Sequence, residues 1–151
     1  MADHPKPGFD HPSDHWLWRL DTSAWLRAAE AELATGAANL ASRRTAVTHA
    51  RRAAGMALNA VLVASAPADE LRWGRSYIDH LRALTDPTRP IDPLPPAARP
   101  LAAALLEIPV LGTATTLVQL GRTAHSAAQQ SLDLARALLD LSADCIAADP
   151  R

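Results

Sequence analysis

The sequence predicts an all-α protein, an up-and-down antiparallel bundle of four to five helices. Alanine is very abundant and favours helix at most positions. Apolar residues recur at steps of three and four in several segments, which is the period of a helix face. No segment shows the alternation of a half-buried strand. With 151 residues, 48% of them hydrophobic, the chain is long enough for one domain with a substantial core.

The first two helices are predicted to form an antiparallel hairpin. Residues 1–20 are expected to be an irregular arm because prolines interrupt them, with Trp16, Trp18 and Leu20 lying against the bundle. N-cap chemistry is supplied by Asp21, Thr22 and Ser23, and a helix follows with an apolar stripe at Leu26, Ala29, Leu33, Ala37 and Leu40. Gly36 costs this helix about 1 kcal/mol relative to alanine, which indicates a close helix contact there. The second helix is predicted over 45–65 after a short connection, so the two must pack antiparallel.

The second half of the chain is divided by a proline-rich connector at 86–96. A third helix is predicted before it, over 70–84, and a short helix after it, over 99–108. A last long helix is expected to start at Thr113 or Arg122 and to reach Ala147, with an apolar stripe at Ala124, Ala128, Leu132, Ala135, Leu138 and Leu139. Residues 21–148 are therefore expected to form a single helical-bundle domain.

Composition favours an ordinary cytoplasmic protein. The formal net charge is −1, which offers no bulk attraction for nucleic acid or an anionic membrane. The single cysteine, Cys145, excludes an intrachain disulfide and suits a reducing compartment. The amino terminus lacks the layout of a signal peptide, and no apolar run reaches the ~20 residues of a membrane span.

Two segments carry a resemblance to a known family. The first is Trp25-Leu-Arg-Ala-Ala-Glu-Ala-Glu-Leu33, and the second is His49-Ala-Arg-Arg-Ala-Ala-Gly-Met-Ala-Leu-Asn-Ala-Val-Leu62. The second is similar to the pattern His-Ala-Gln-Gln-Ala-Ala-Glu-Lys-Ala-Leu-Lys-Ala-Leu-Leu of the HEPN family, the nucleotide-binding helical domains of prokaryotes and higher eukaryotes. Tyr77-Ile-Asp-His80-Leu falls where many members carry His-Asp-Leu. The resemblance covers residues 25–84. This chain departs from the pattern with Arg51-Arg52 and Gly55-Met56.

The resemblance implies a helical bundle that dimerises through its helices. Many members are metal-independent ribonucleases that use an arginine and a histidine spaced by four to six residues near the last helix. Others lack that pair and bind partners, often a nucleotidyltransferase. A homodimer and a nucleotidyltransferase-type partner protein are therefore expected partners, with RNA as a further candidate.

Arg75 and His80 have the family's spacing of four intervening residues. A histidine can move the 2′-hydroxyl proton of RNA, and an arginine can stabilise the charge of the phosphorane. However, the pair lies in the third helix, whereas the family's motif belongs near the last one. Near the last helix, Arg122 and His125 are spaced too closely. An exposed arginine beside a hydrogen-bonded, partly buried histidine is the structural alternative.

Basic residues of the second helix are the other candidate site. Arg44, Arg51 and Arg52, with His49 beside them, are predicted to form a basic strip that holds phosphates. The alternative is a solvated face, or ion pairing with Glu30 and Glu32 of the neighbouring helix, which contributes little to stability per pair.

Aromatic and polar residues concentrate at the start of the third helix. Trp73, Tyr77 and Asp79 are predicted to line a ligand pocket or a partner surface. The alternative is structural, with Trp73 as a core residue and Asp79 or His80 hydrogen-bonded to a loop backbone. No metal site and no cofactor are expected, since Pro12 keeps His11 and His15 off a common helix face.

Three functions follow from these observations. The first is a HEPN-like, non-catalytic module that dimerises and binds a nucleotide or a partner protein. The second is a HEPN-type ribonuclease using Arg75 and His80, and the third is a helical oligomerisation or scaffold protein without a ligand.

Overall fold

The described residues form an all-α bundle, as the sequence predicts. The structure is a computed structural model, and it describes residues 16–65, 74, 76–110 and 117–148, with side chains of the last helix from 126 onward. These residues form a short 3-10 helix at Trp16–Arg19 and five α-helices: α1 (Thr22–Ala37), α2 (Arg43–Ser65), α3 (Tyr77–Thr85), α4 (Ala98–Glu107) and α5 (Leu117–Ala148). No strand occurs among them.

Helix α1 begins at the predicted cap. The Asp21 carboxylate accepts a hydrogen bond from the Ala24 amide at 2.7 Å, which satisfies one free donor of the first turn. The buried face of α1 differs slightly from the predicted stripe. It consists of Trp25, Ala29, Leu33 and Gly36. Ala37 is exposed and Leu26 and Leu40 are half-buried, because the face that meets α2 and α5 is centred about one residue earlier.

Gly36 makes the close contact that its position predicts. A Cβ atom built at Gly36 would lie 2.6 Å from Cδ2 of Leu132 in α5 and 3.4 Å from Cβ of His49 in α2. The absence of a side chain therefore lets three helices approach at this point.

Helix α2 is the centre of the bundle and contacts α1, α3, α4 and α5. Its apolar residues from Ala53 to Val63 are buried almost continuously. A helix that is apolar around most of its circumference has to be surrounded by other elements. The remaining helices therefore pack around α2.

Helix α3 is shorter than the predicted helix over 70–84. It begins at Tyr77, since Gly74 has a positive φ of 76° and Ser76 is extended and caps the helix. A left-handed residue cannot continue a right-handed helix. Residues 66–73 and 75 lie outside the described residues.

The connector and the last two helices lie close to their predicted places. Residues 86–96 form turns, and α4 then runs from Ala98 to Glu107. Helix α5 begins at Leu117, between the two predicted starts, and ends at Ala148. Its predicted core residues are all buried: Ala128, Leu132, Ala135, Leu138 and Leu139. Ala124 lies outside the described side chains.

The end of the predicted arm packs on the bundle. Leu17 is fully buried, Trp18 nearly so, and Trp16 and Leu20 pack against the core as half-buried side chains. The indole Nε1 of Trp25 donates a hydrogen bond to the Leu17 carbonyl at 2.9 Å. Residues 16–19 are a 3-10 helix, while 1–15 lie outside the described residues. None of the described helices combines the length and the apolar character of a membrane span.

Candidate functional site

An aromatic cluster joins the 3-10 helix to α3. The ring of Trp16 lies edge-on to Trp25 at 5.7 Å and edge-on to Tyr77 at 5.1 Å, between ring centroids. It also lies 5.0 Å from the imidazole of His80 at a tilt of 33°. Trp16 therefore covers the side of α3 on which His80 lies.

His80 is fully buried, with no exposed side-chain surface. An imidazole in this position does not contact an external substrate. The structural alternative expected a partly buried, hydrogen-bonded histidine, whereas the imidazole lies deeper, fully inside the core and beside Trp16. Arg75 and Trp73 lie outside the described residues, so the pairing of Arg75 with His80 stays a prediction from the sequence.

The start of α3 is held by a capping turn. The Ser76 hydroxyl accepts a hydrogen bond from the Asp79 amide at 3.1 Å. Asp79 lies in the first turn of the helix, where a carboxylate is favoured by the helix dipole. A Cβ at Gly74 would collide with the side chain of Asp79, which places Asp79 against the turn that precedes the helix. The predicted alternative for Asp79, a structural contact with a loop, fits this arrangement.

A cleft lies between α2 and the start of α3. Thr48, Arg51 and Arg52 line it on α2, and residues 76–78 line it on α3. Its volume is about 280 Å³. Three of the predicted site residues, Arg51, Arg52 and Tyr77, thus meet in one place. The sequence signal for this cleft is the helix period, since Thr48 and Arg52 are one turn apart on α2.

Gly55 allows α3 to approach α2 beside this cleft. A Cβ at Gly55 would lie 2.5 Å from Cβ and 2.8 Å from Cα of Tyr77. Both distances are below those of ordinary van der Waals contact, so a side chain at this position would push Tyr77 away. The glycine that departs from the HEPN pattern is therefore what positions one wall of the cleft.

Glu32 of α1 neutralises one end of the predicted basic strip. Its carboxylate forms an ion pair with Nη2 of Arg52 at 3.0 Å and also pairs with Nδ1 of His49. This is the ion pairing expected as the alternative for these residues. The second predicted acceptor, Glu30, instead accepts two hydrogen bonds from the guanidinium of Arg136 in α5, at 2.6 and 2.7 Å.

Arg51 links α2 to the carboxyl end of α4. Its Nη2 donates hydrogen bonds to the carbonyl oxygens of Leu106 at 3.1 Å and Ile108 at 2.8 Å. These are carbonyl groups that the end of a helix leaves without internal partners. Burial lowers the pKa of the Arg51 guanidinium, and the nearby positive charge of Arg82 lowers it further.

Tyr77 lies in a mainly positive environment. Burial raises the pKa of its phenol. The charges of Arg52 and Arg19 oppose this rise, and the charge of Glu32 adds to it. Since the pKa is raised from an ordinary value near 10, the phenol is neutral at pH 7 and can donate a hydrogen bond.

No protein-family model, curated protein or solved structure matches this chain. The chain is therefore described by its fold and its cleft. It is an all-α bundle with a small cleft, lined by two arginines, between its second and third helices. Within the described part of the chain, no group of three or more His, Cys, Asp or Glu side chains is placed to hold a metal ion.

Proposed function

We propose that this protein is a HEPN-like, non-catalytic module that binds the phosphate-bearing part of a nucleotide in the cleft between α2 and α3. The observation that carries the proposal is the convergence of Arg51, Arg52 and Tyr77 on one cleft, although the arginines and the tyrosine come from different helices.

The charge around the cleft favours an anion. Arg51 and Arg52 line it, and the charges of Arg19 and Arg82 act on its lining residues. Glu32 is the acidic group that acts on it among the described residues. A local excess of guanidinium groups attracts phosphate even when the whole chain is close to neutral.

The size and the lining of the cleft favour a small ligand. Pockets for drug-sized molecules have volumes of about 300–1,000 Å³, so a cleft of about 280 Å³ suits a mononucleotide better than a larger cofactor. Half-buried Tyr77 offers a ring face or edge to a base and a neutral hydroxyl to a phosphate oxygen.

Titration calorimetry with the four ribonucleoside monophosphates tests the proposal. Thr48→Glu introduces a negative charge and extra volume at an exposed position of the cleft. It is expected to weaken binding at least about tenfold, since the carboxylate repels the phosphate. Thr35→Glu is the matched control, because Thr35 is an exposed helical threonine of α1 that does not line the cleft.

Absence of binding by the wild-type protein to all four nucleotides at millimolar concentration would refute the proposal and favour the scaffold hypothesis. Equal weakening by both substitutions would place the binding outside this cleft.

The ribonuclease hypothesis gains no support from the position of His80, which is buried beneath Trp16. Its test is RNA cleavage in EDTA, with loss of cleavage in His80→Ala. Dimerisation, with or without a nucleotidyltransferase-type partner, is likewise a proposal that rests on the family resemblance. Sedimentation velocity of the purified protein tests the dimer directly.

A further inference from the structure

Arg82 lies on the face of α3 that lines the cleft. Ile78 is a lining residue, and Arg82 follows it by four positions, which is one helical turn along the same face. Arg82 is exposed, and the charged group of its side chain is therefore available to solvent and to a ligand. The sequence analysis did not select this residue.

Arg51 supplies a fixed positive charge to the same cleft. Its Nη2 is held by the two carbonyl groups at the end of α4, so the orientation of the guanidinium is set before any ligand arrives. Its Nε is buried and has no hydrogen-bond partner among the described residues. Burial lowers the pKa of Arg51, and the positive charge of Arg82 lowers it further.

The arginines of and beside the cleft differ in their charge balance. Arg52 is paired with Glu32, which also pairs with His49. By contrast, neither Arg51 nor Arg82 has an acidic partner within the part of the chain that the structure describes. Two like charges without a counter-ion favour an anion between them, because the anion removes their repulsion.

We infer that Arg82 is a binding residue of this site and that the phosphate monoester of the ligand lies between Arg51 and Arg82. The inference rests on the function proposed above and adds the direction of the ligand in the cleft. A phosphate monoester carries a charge of about −1.5 to −2 at pH 7 and three acceptor oxygens, enough to accept hydrogen bonds from both guanidinium groups. The rest of the nucleotide then extends toward Tyr77.

The experiment compares AMP binding by Arg82→Gln and Arg52→Gln with that of the wild-type protein, by titration calorimetry at low salt. Arg82→Gln is expected to weaken binding about tenfold, the size expected for one charge-assisted hydrogen bond. Arg52→Gln is expected to weaken it about threefold or less, since Glu32 already neutralises Arg52. Arg27→Gln is the control, because Arg27 is an exposed arginine of α1 that does not line the cleft.

Rescue by Arg82→Lys separates a charge contact from a structural role. A lysine keeps the positive charge without the two-pronged geometry, so this variant is expected to bind within about threefold of wild type. Since Arg82 is exposed, all variants should keep the wild-type circular dichroism spectrum.

The inference is refuted if AMP binds in the cleft, as judged by its sensitivity to Thr48→Glu, but Arg82→Gln binds within twofold of wild type. It is also refuted if Arg52→Gln weakens binding more than Arg82→Gln does. Absence of AMP binding to the wild-type protein refutes the proposed function itself, and the inference with it.

Discussion

Replacing Gly55 by alanine tests the packing that positions the cleft. The added Cβ would lie 2.5 Å from Cβ and 2.8 Å from Cα of Tyr77, whereas ordinary contact begins at 3.4 Å. Tyr77 must therefore move by at least 0.6 Å at its Cα (3.4 minus 2.8) and 0.9 Å at its Cβ (3.4 minus 2.5). Because a backbone atom is involved, α3 has to shift as a unit.

The expected loss of stability is the difference between two opposing effects. Overpacking destabilises the folded state by about 1–3 kcal/mol. Alanine in place of glycine inside a helix stabilises it by up to about 1 kcal/mol. We expect Gly55→Ala to lower the free energy of unfolding by about 1–2 kcal/mol. For a chain of this length, that change lowers Tm by roughly 2–8 °C. Urea and thermal unfolding followed by circular dichroism at 222 nm measure both quantities.

Gly36→Ala is the matched control, since Gly36 is also a buried helical glycine. Its closest neighbour is Cδ2 of Leu132, the end of a flexible side chain that can change its rotamer. The gain in helix propensity should offset most of the cost, so we expect a change below about 1 kcal/mol. A Gly55→Ala variant as stable as wild type, or a Gly36→Ala variant that loses more stability, would refute the reasoning.

Two further substitutions test buried and exposed polar groups. Asn59 is fully buried, and both polar atoms of its amide lack a partner among the described residues. Because an unsatisfied buried amide is destabilising, Asn59→Leu should raise the free energy of unfolding, measured by urea titration, by about 1–2 kcal/mol. Lower stability instead would mean that the amide has a partner in solution. The hydrogen bond from Arg136 lowers the pKa of Glu30 below its usual value near 4.5, so this pair stabilises the fold above that pH and the contribution is lost as pH falls through the lowered pKa. Both side chains are about half exposed, and Arg136→Gln should therefore cost less than about 1 kcal/mol at pH 7 and progressively less as the pH falls through the lowered pKa of Glu30. A loss that stays the same throughout an acid titration would contradict this origin.

The candidate site was predictable as a set of residue types but not as an arrangement. The sequence indicates His49, Arg51 and Arg52 on one helix and Tyr77 on another, and three of these four line the cleft. His49 differs because its predicted alternative, an ion pair with Glu32, forms in the structure. Arg82 gives no signal in the sequence, since its proposed role depends on α3 lying beside the helix that carries Arg51.

The sequence by itself determines the helices, because the period of apolar residues and the capping chemistry are local properties. Asp21 caps α1 as predicted, the stripe of α5 is buried, and Gly36 makes a close helix contact. Tertiary structure decides which polar groups meet. Arg51 reaches carbonyl groups more than 50 positions away, and Arg136 pairs with Glu30 across 106. Such pairings depend on how the helices are arranged around α2, which no local pattern encodes, and the cleft exists because Gly55 lets α3 lie against that helix.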